Sequence, residues 1–443
     1  MRRIAIIVVA AIAVVAIGVF AWRTFNPGPL AFAGGSTVEL TDYHEANPTG
    51  VPAGLAQADI VKRGEYLAKA ADCMVCHTAP GEATFAGGLP FPAPSGTLYS
   101  TNITADKDTG IGNYSDQDFL NAVQRGARKD GAKLYPAMPY TSYTFMTDAD
   151  VLAIKAYLFS LPAVRRQNQS DTLQFPYNQR WTMMFWSWMF NPNTRFTPDT
   201  AKGAEWNRGA YLAEALAHCG ECHTPRNPAF ALDNRRKFAG AAYGWLAYNI
   251  TSDKGTGIGS WSDDEIFAYL TKGHTTGRGT ASGPMGEVVD HSLSLMEPAD
   301  IRALVTYLRS IPAIASSEPA TIAPPAPASP KEGGVAADAL GRKVFAQACA
   351  SCHNWTGVSA LSPFATISGS RAVNDPTATN VAQIVISGTR RLTAGAMSMP
   401  AFGNTYSDME IAAVANYVTG RFGSAASKLT AKDVTQLRAQ TGH

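Results

Sequence analysis

The sequence has little charge of either sign and carries no concentrated basic segment. Charged residues make up 16% of its 443 residues, with 37 basic and 35 acidic side chains and a formal net charge of +2. This near balance gives no support for nucleic-acid binding, which needs a basic face. The apolar fraction of 46% is typical of globular domains rather than disordered chains. Because the chain is about three times the length of a typical domain, we expect more than one core.

The sequence also has no cysteine outside three short motifs. All six cysteines occur in Cys-x-x-Cys pairs, and a histidine follows each pair directly. No thiol therefore remains for a structural disulfide, an iron–sulfur cluster or a catalytic nucleophile. The motifs consist of Cys73, Cys76 and His77, then Cys219, Cys222 and His223, then Cys349, Cys352 and His353.

An uncharged, mostly aliphatic run extends over residues 4–22, with Arg2 and Arg3 before it and Arg23 after it. As a helix, such a run rises roughly 28 Å, close to the thickness of a bilayer core. We predict a signal anchor or transmembrane helix over residues 1–23. Removal as a secretory signal, at the small-residue pattern of residues 31–33, is the alternative. In either case the rest of the chain is exported. We therefore predict that it lies on the periplasmic side of a bacterial inner membrane.

An internal repeat predicts the architecture. Arg63-Gly64-Glu65-Tyr66-Leu67-Ala68 precedes the first motif, and residues 208–213 repeat this pattern before the second. Asn-Ile-Thr and Thr-Gly-Ile-Gly segments follow in both copies, whereas the third copy lacks them. In the first two copies Ser115-Asp116 and Ser262-Asp263 are predicted to cap the start of a helix. Each copy closes with an amphipathic helical pattern, which Ser407-Asp408 opens in the third copy. We predict a mainly α chain of three tandem class I cytochrome c domains behind the anchor helix. Domain 1 (the first module) spans 55–165, domain 2 (the second module) 206–314 and domain 3 (the third module) 336–425.

The remaining segments differ in composition. A spacer is predicted over 24–54, an aromatic and methionine-rich connector over 166–205 and a C-terminal tail over 426–443. The predicted linker over 315–335 is rich in Pro and Ala, which would let the third module move relative to the others. The connector's apolar stripe, from Trp181 to Phe190, contacts the membrane or a quinone in one interpretation. In the other, it packs between the first two modules or against a partner subunit.

The Cys-x-x-Cys-His spacing indicates covalent attachment of haem c. The two thiols lie about one helical turn apart and reach the two vinyl groups on one haem edge, while the histidine meets the iron. A structural zinc site would need four ligands, usually from two such pairs, and three pairs do not divide in that way. A redox dithiol would not require the histidine.

A methionine further along each module is the predicted sixth ligand of each iron, since His and Met together are a familiar cytochrome c pair. Met138 and Met285 lie at nearly equal offsets after their histidines, and each adjoins a proline. The repeat therefore favours Met285 over Met296. In the third module Met399 is favoured by Pro400, with Met397 as a close rival. Core packing is the alternative role for each methionine.

Other polar residues have two interpretations each. Asn102 and Asn249 either fix the backbone around the haem propionates or only cap turns. Arg125 and Lys272 occupy matching places and are candidates to pair with propionates, although exposed basic residues are common. The spare histidines are expected to be ordinary surface or core residues, with His218 placed to tune a neighbouring haem. They are His44, His218, His274, His291 and His443.

Together these features resemble the cytochrome c subunits of membrane-bound periplasmic dehydrogenases of acetic-acid-type bacteria. The resemblance covers residues 55 to 425 and rests on residues 85–88, 99–104, 134–140, 175–181, 223–227 and 283–285. It implies a large catalytic subunit with molybdopterin, PQQ or FAD, and possibly a small subunit. That catalytic subunit would oxidise an aldehyde, alcohol or sugar. It further implies that three haems pass the electrons to membrane ubiquinone. The apparent anchor departs from many relatives and favours the aldehyde dehydrogenase type.

Two other functional classes remain open from the sequence. A multihaem peroxidase or sulfur-compound dehydrogenase would need an open iron site or a special ligand such as cysteine. A cytochrome subunit of a terminal oxidase would receive electrons from other donors. In the favoured interpretation the chain has no catalytic residues of its own and belongs to an oxidoreductase complex.

Overall fold

The computed structural model describes residues 28–30, 32–93, 95–316, 339–392, 397–424 and 426–440, with residues 11, 14, 15, 18, 21, 24 and 26 before them. Over these residues the chain is mostly helical, which confirms the predicted mainly α class. The helices are α1 Ile60–Ala70, α2 Cys73–His77, α3 Asp116–Arg125, α4 Tyr140–Tyr143, α5 Asp148–Ser160, α6 Thr182–Phe190, α7 Ala204–Tyr211, α8 Gly220–His223, α9 Asp263–Lys272, α10 Pro284–His291, α11 Pro298–Ser310, α12 Ala339–Val344, α13 Ala350–His353, α14 Thr379–Ser387, α15 Asp408–Phe422 and α16 Ala431–Gln440.

The β structure in the described residues consists of short antiparallel ribbons. The strands are β1 Pro90–Ala93 with β2 Gly96–Tyr99, β3 Ala241–Tyr243 with β4 Trp245–Ala247, and β5 His274–Thr275 with β6 Gly279–Thr280. In register, Phe91 lies opposite Leu98, and Ala242 lies opposite Leu246. In the first two modules, these ribbons lie between the Cys-x-x-Cys-His motif and the helix that closes the module.

Each module is built on one crossing of two helices: α1 with α5, α7 with α11, and α12 with α15. A glycine lies at every crossing, at Gly64, Gly209 and Gly341. A Cβ atom there would lie 1.8, 1.9 and 2.3 Å, respectively, from a backbone oxygen of the facing helix. Only glycine permits so close an approach of two helix backbones. The repeated crossing explains why Arg-Gly recurs in the first two copies and why glycine persists in the third.

The helices begin where the sequence predicts. The side chains of Ser115, Ser262 and Ser407 each accept a hydrogen bond from the backbone N–H three residues on, and the serine backbone N–H donates to the acidic side chain at that position. Such a capping box satisfies backbone donors that the first helical turn leaves unpaired. The predicted starts of α3, α9 and α15 are therefore confirmed.

The first two modules share one hydrophobic core and exchange a pair of hydrogen bonds. Tyr66 of the first module donates to Asp300 of the second over 2.6 Å, and Tyr211 of the second donates to Asp150 of the first over 2.5 Å. The tyrosines occupy matching repeat positions, and so do the aspartates, so the interface has pseudo-twofold symmetry. Within the second module, Arg208 pairs with the same Asp300 at 2.7 Å and holds that carboxylate in place. The two modules therefore form one packed unit.

The third module packs against the second. Arg391 and Asp290 form a salt bridge of 2.9 Å in which both side chains are almost fully buried. Arg371 donates to the carbonyl of Asn249 over 3.2 Å, and its guanidinium stacks 4.5 Å from the Tyr248 ring. The composition of the 315–335 linker predicted that the third module could move relative to the other two. This interface restricts that movement. Most of that linker, residues 317–335, lies outside the described residues.

The predicted spacer and tail both contain contacts that composition did not reveal. In the spacer, the Gly34 amide donates to Asp199 over 2.6 Å and the Gly50 amide donates to Asp150 over 2.9 Å. The segment thus lies along the first two modules. In the tail, α16 buries Val434 and Leu437 against the third module. This helix was not predicted.

The predicted N-terminal helix, residues 1–23, lies mainly outside the described residues. Among the residues that the structure describes, no helix has both the length and the apolar character needed to cross a bilayer.

Candidate haem sites

The three histidines of the motifs have the same hydrogen-bonded geometry. Nδ1 lies 2.7 Å from the Thr101 carbonyl oxygen for His77, 2.6 Å from that of Tyr248 for His223, and 2.6 Å from that of Ala365 for His353. A carbonyl oxygen only accepts, so Nδ1 carries the proton and Nε2 keeps its lone pair. Burial lowers the pKa of all three imidazoles, which favours the neutral form. Each ring is thus oriented to ligate a metal through Nε2.

Short helices place each histidine directly after its second cysteine and about one turn from the first. Helix α2 contains the whole first motif, and Cys219 forms the N-terminal cap of α8, as Cys349 does for α13. The six sulfurs form no disulfide. Burial raises the pKa of the Cys222 and Cys349 thiols to about 11. Zinc binding and dithiol exchange both use thiolates, so this apolar setting disfavours those alternatives.

One cavity of about 620 Å³ contains the second and third motifs together. Its walls are mostly apolar, and they include His223 and His353. Met285, Met397 and Met399 also line it. Two sites for a flat, largely apolar cofactor therefore adjoin each other without an intervening protein layer.

The lining of the cavity distinguishes Met285 from Met296. Met296 is 7% exposed and packs in the core shared by the first two modules, so its sulfur serves as core packing. Met285 begins α10 and lines the cavity. In the first module Met138 is half-buried against the same core. The cavity lining agrees with the repeat-based choice of Met285 over Met296, and both Met138 and Met285 stay predicted ligands.

The third module holds its two candidate methionines differently. The backbone of Met399 forms a β-bridge to Thr389, with both N–H to O distances at 2.9 Å. Met399 also packs against the third core, whereas Met397 follows directly after residues 393–396, which are not described. The bridge gives Met399 a fixed position relative to the cavity, and this favours it as the ligand.

Two buried donors in the cavity wall were missed by the sequence analysis. Trp261 Nε1 and Arg278 Nη1 are buried and have no hydrogen-bond partner among the described residues, although Arg278 also pairs with Glu265 at 3.2 Å. Buried donors without partners are costly, so these fit a ligand that carries carboxylates, as haem does. The available signal was the aromatic residue that both copies place directly after Gly-Ile-Gly-x. In contrast, Arg125 and Lys272 are exposed.

Asn102 and Asn249 fix the loops that orient the histidines. Each follows directly the residue whose carbonyl accepts the histidine N–H. Asn102 Nδ2 donates to the Val164 carbonyl over 2.7 Å, and Asn249 Nδ2 donates to the Ile314 carbonyl over 2.8 Å. Both side chains are buried. The two asparagines therefore hold the loop against the last residues of the module. This agrees with the interpretation that they fix the backbone near the haem.

The spare histidines differ in environment. His218 lines the cavity, and its ring contacts Tyr143 edge-on at 5.3 Å between centroids. His274 bonds to Thr280 over 2.9 Å. His44 is exposed and His291 is half-buried, while His443 lies outside the described residues. Among the described residues, no group of three or more His, Cys, Asp or Glu side chains forms a metal site of the usual kind.

The first and second motifs also lie close together. Helix α2 packs against α10, the helix of Met285. Burial raises the pKa of the Cys76 thiol, and the charge of the Cys222 side chain contributes to that rise. Glu221, inside the second motif, accepts a hydrogen bond of 2.8 Å from Ser142 of the first module. The second motif thus lies between the other two.

Comparisons with known proteins agree with this geometry. The family model "Cytochrome c" matches residues 61–162, and the model "Cytochrome C oxidase, cbb3-type, subunit III" matches residues 336–418. The chain is 39% identical over 400 residues to the gluconate 2-dehydrogenase cytochrome c subunit of Pantoea cypripedii, covering 86% of this chain and 89% of that protein. It is 38% identical over 418 residues to the fructose dehydrogenase cytochrome subunit of Gluconobacter japonicus, covering 89% and 86%.

A third relative is the cytochrome c subunit of the quinone alcohol dehydrogenase of Gluconobacter oxydans. It is 35% identical over 400 residues, which cover 86% of this chain and 83% of that protein. The chain belongs to this family of dehydrogenase cytochrome c subunits. The resemblance drawn from the sequence motifs is thereby confirmed. Cytochrome c domains hold haem c through thioether bonds, and the cysteine pairs, histidines and buried donors described above fit that cofactor.

Proposed function

We propose that this chain is the tri-haem electron-transfer subunit of a membrane-bound periplasmic dehydrogenase complex. Three haem c groups would attach at the three motifs, with His77/Met138, His223/Met285 and His353/Met399 as iron ligands. The observation that carries the proposal is the triple recurrence of one geometry: a cysteine pair, a neutral histidine with Nε2 free, and a helix crossing at glycine.

The contacts support a linear order with the second haem in the middle. The second and third motifs share one cavity, and Glu221 and α10 join the second motif to the first. Electrons would enter at one end of this series and leave at the other. The haem supplies the redox chemistry, while the protein orients each histidine, excludes water and provides donors for the propionates.

The donor would be a catalytic subunit that oxidises an aldehyde, alcohol or sugar, and the acceptor would be membrane ubiquinone. The names of the relatives support a dehydrogenase partner. A terminal-oxidase role is the second candidate, and the match of residues 336–418 to an oxidase subunit model favours it. The relatives cover 86–89% of the chain, which makes the dehydrogenase role the stronger proposal.

Purification of the native complex tests this proposal. We expect a large subunit with molybdopterin, PQQ or FAD to copurify, its substrate to reduce the haems, and a short-chain ubiquinone to reoxidise them. Copurification with a copper–haem oxidase would instead support the second candidate. A high-spin haem that reacts with peroxide or carbon monoxide would contradict three methionine-ligated irons.

A further inference from the structure

Helix α6 presents an entirely apolar face to the outside of the molecule. Trp181, Met184, Phe185 and Trp188 follow one another at the spacing of a single helix face, and they are 65%, 54%, 51% and 79% exposed. Soluble proteins seldom expose so many large side chains together, and such patches commonly mark an interaction site.

The opposite face of α6 fixes the helix to the body of the protein. Trp186 Nε1 donates to the Ala229 carbonyl over 2.7 Å, and the Trp186 ring meets Tyr140 edge-on at 6.1 Å between centroids. Trp186 and Ser187 are buried. The exposed face therefore belongs to a docked helix, and its exposure does not arise from a detached segment.

The surroundings extend the same apolar surface. Phe175 and Tyr177, in the loop before α6, are 78% and 51% exposed, and Phe230 is 55% exposed. Between residues 172 and 194 the sequence contains a single charged side chain, Arg180. That residue pairs with Asp171 at 2.6 Å. The surface thus carries almost no net charge.

Residues 28–30 and 32, which follow the N-terminal apolar run in the sequence, lie near this surface. Lys237 Nζ donates to the Leu30 carbonyl over 2.5 Å, and the Phe32 and Phe238 rings lie 6.2 Å apart. Gly28 lies against Asn234 and Arg235, and Ala231, three residues before Asn234, packs in one buried cluster with Trp186 of α6. The chain therefore connects the predicted anchor of residues 1–23 to the neighbourhood of the exposed aromatic face.

We propose that the outward face of α6, together with Phe175, Tyr177 and Phe230, lies in the boundary between the headgroups and acyl chains of the bilayer. Tryptophan and tyrosine suit that boundary because a large apolar ring carries one polar atom. A helix held in the plane of the membrane needs an apolar face of this kind. An interface with a specific protein partner would instead be expected to contain about one hydrogen bond per 100–200 Å² and to have a polar rim.

This inference rests on the proposed function only in that the chain is exported to a membrane. The first and second modules would then face the bilayer through α6. This contact, together with the predicted N-terminal anchor, would fix the orientation of the three haem sites relative to the membrane.

Lipid photolabelling of the full chain in its native complex tests the proposal. The complex is placed in vesicles of phosphatidylethanolamine and phosphatidylglycerol that contain a lipid with a diazirine on its acyl chain. We expect adducts on Trp181, Met184, Phe185 and Trp188. Trp355, 41% exposed on the third module, is the matched control and should remain unlabelled.

A variant that changes only the exposed face of α6 shows whether the labelling depends on that face and not on the predicted anchor alone. In W181S/W188S, labelling of Met184 and Phe185 should fall severalfold, whereas the control W355S should label as wild type. Equal labelling of Trp355, absence of adducts on α6, or protection of α6 by the catalytic subunit would each overturn the proposal. Haem content and substrate-linked haem reduction, measured on the same vesicles, report separately on the proposed function.

Discussion

The buried pair Arg391–Asp290 should decide how firmly the third module docks. Arg391 Nη2 lies 2.9 Å from Asp290 Oδ1, and the side chains are 1% and 2% exposed. The Leu392 amide also donates to Asp290, and Arg391 donates to the Ala281 carbonyl, each over 2.9 Å. Removing one partner leaves a buried charge uncompensated, which costs about 3–5 kcal/mol.

We therefore predict that R391M destabilises the docked third module by about 3–5 kcal/mol, or two to four orders of magnitude in its equilibrium constant. The double variant D290L/R391M should recover at least about 2 kcal/mol of that loss, because it buries no unpaired charge. Urea unfolding of the haem-loaded protein, followed by haem absorbance and far-ultraviolet circular dichroism, measures both changes.

The control is R165M, which removes an exposed pair with Asp108 whose side chains are 76% and 64% exposed. Such a pair is worth less than about 1 kcal/mol. The single variant D290L completes the cycle. If D290L/R391M lost the sum of the losses measured for D290L and R391M, the two charges would not interact, and this buried pair would not hold the third module in place.

Three further predictions concern the helix crossing, the ligand choice and pH. G209A places a Cβ 1.9 Å from a backbone oxygen and should cost more than about 3 kcal/mol in thermal unfolding, whereas G54A, with open space around it, should be tolerated. M285L should abolish the sulfur-to-iron charge-transfer band of one haem and lower its potential, while M296L should leave that band intact. Burial would raise the pKa of Glu221, but its Arg226 partner and hydrogen bonds hold it below its usual value. Its stabilising effect is therefore present above the unfolded-state pKa and lost as pH falls through the folded pKa, and E221Q should lack this dependence in acid unfolding curves.

The modules were predictable because each depends on local patterns. The Cys-x-x-Cys-His spacing, the serine caps and the Arg-Gly repeat all act within a few residues, and the structure places α3, α9 and α15 as expected. Met285 could be preferred over Met296 because a repeat compares equivalent positions, and the cavity lining agrees with that preference.

The arrangement of the modules was not predictable, because it depends on contacts between residues far apart in sequence. The Tyr66–Asp300 bond joins positions 234 residues apart, and Arg391–Asp290 joins positions 101 residues apart. Composition alone suggested a free third module and a simple tail. The buried donors Trp261 and Arg278 were missed because the repeat marks only an aromatic residue at position 261, and the fold alone brings Arg278 to the same cavity wall.

The most direct test of the central claim is the mass of the mature, denatured chain, with its haem content measured as the pyridine complex. We predict three haems per polypeptide, all of which remain bound after acidified-solvent extraction because thioether bonds hold them. Changing His353 to Ala should alter the spectrum of one haem and leave the covalent count at three. A chain with fewer than three covalent haems, or with haem that extracts freely, would contradict the account.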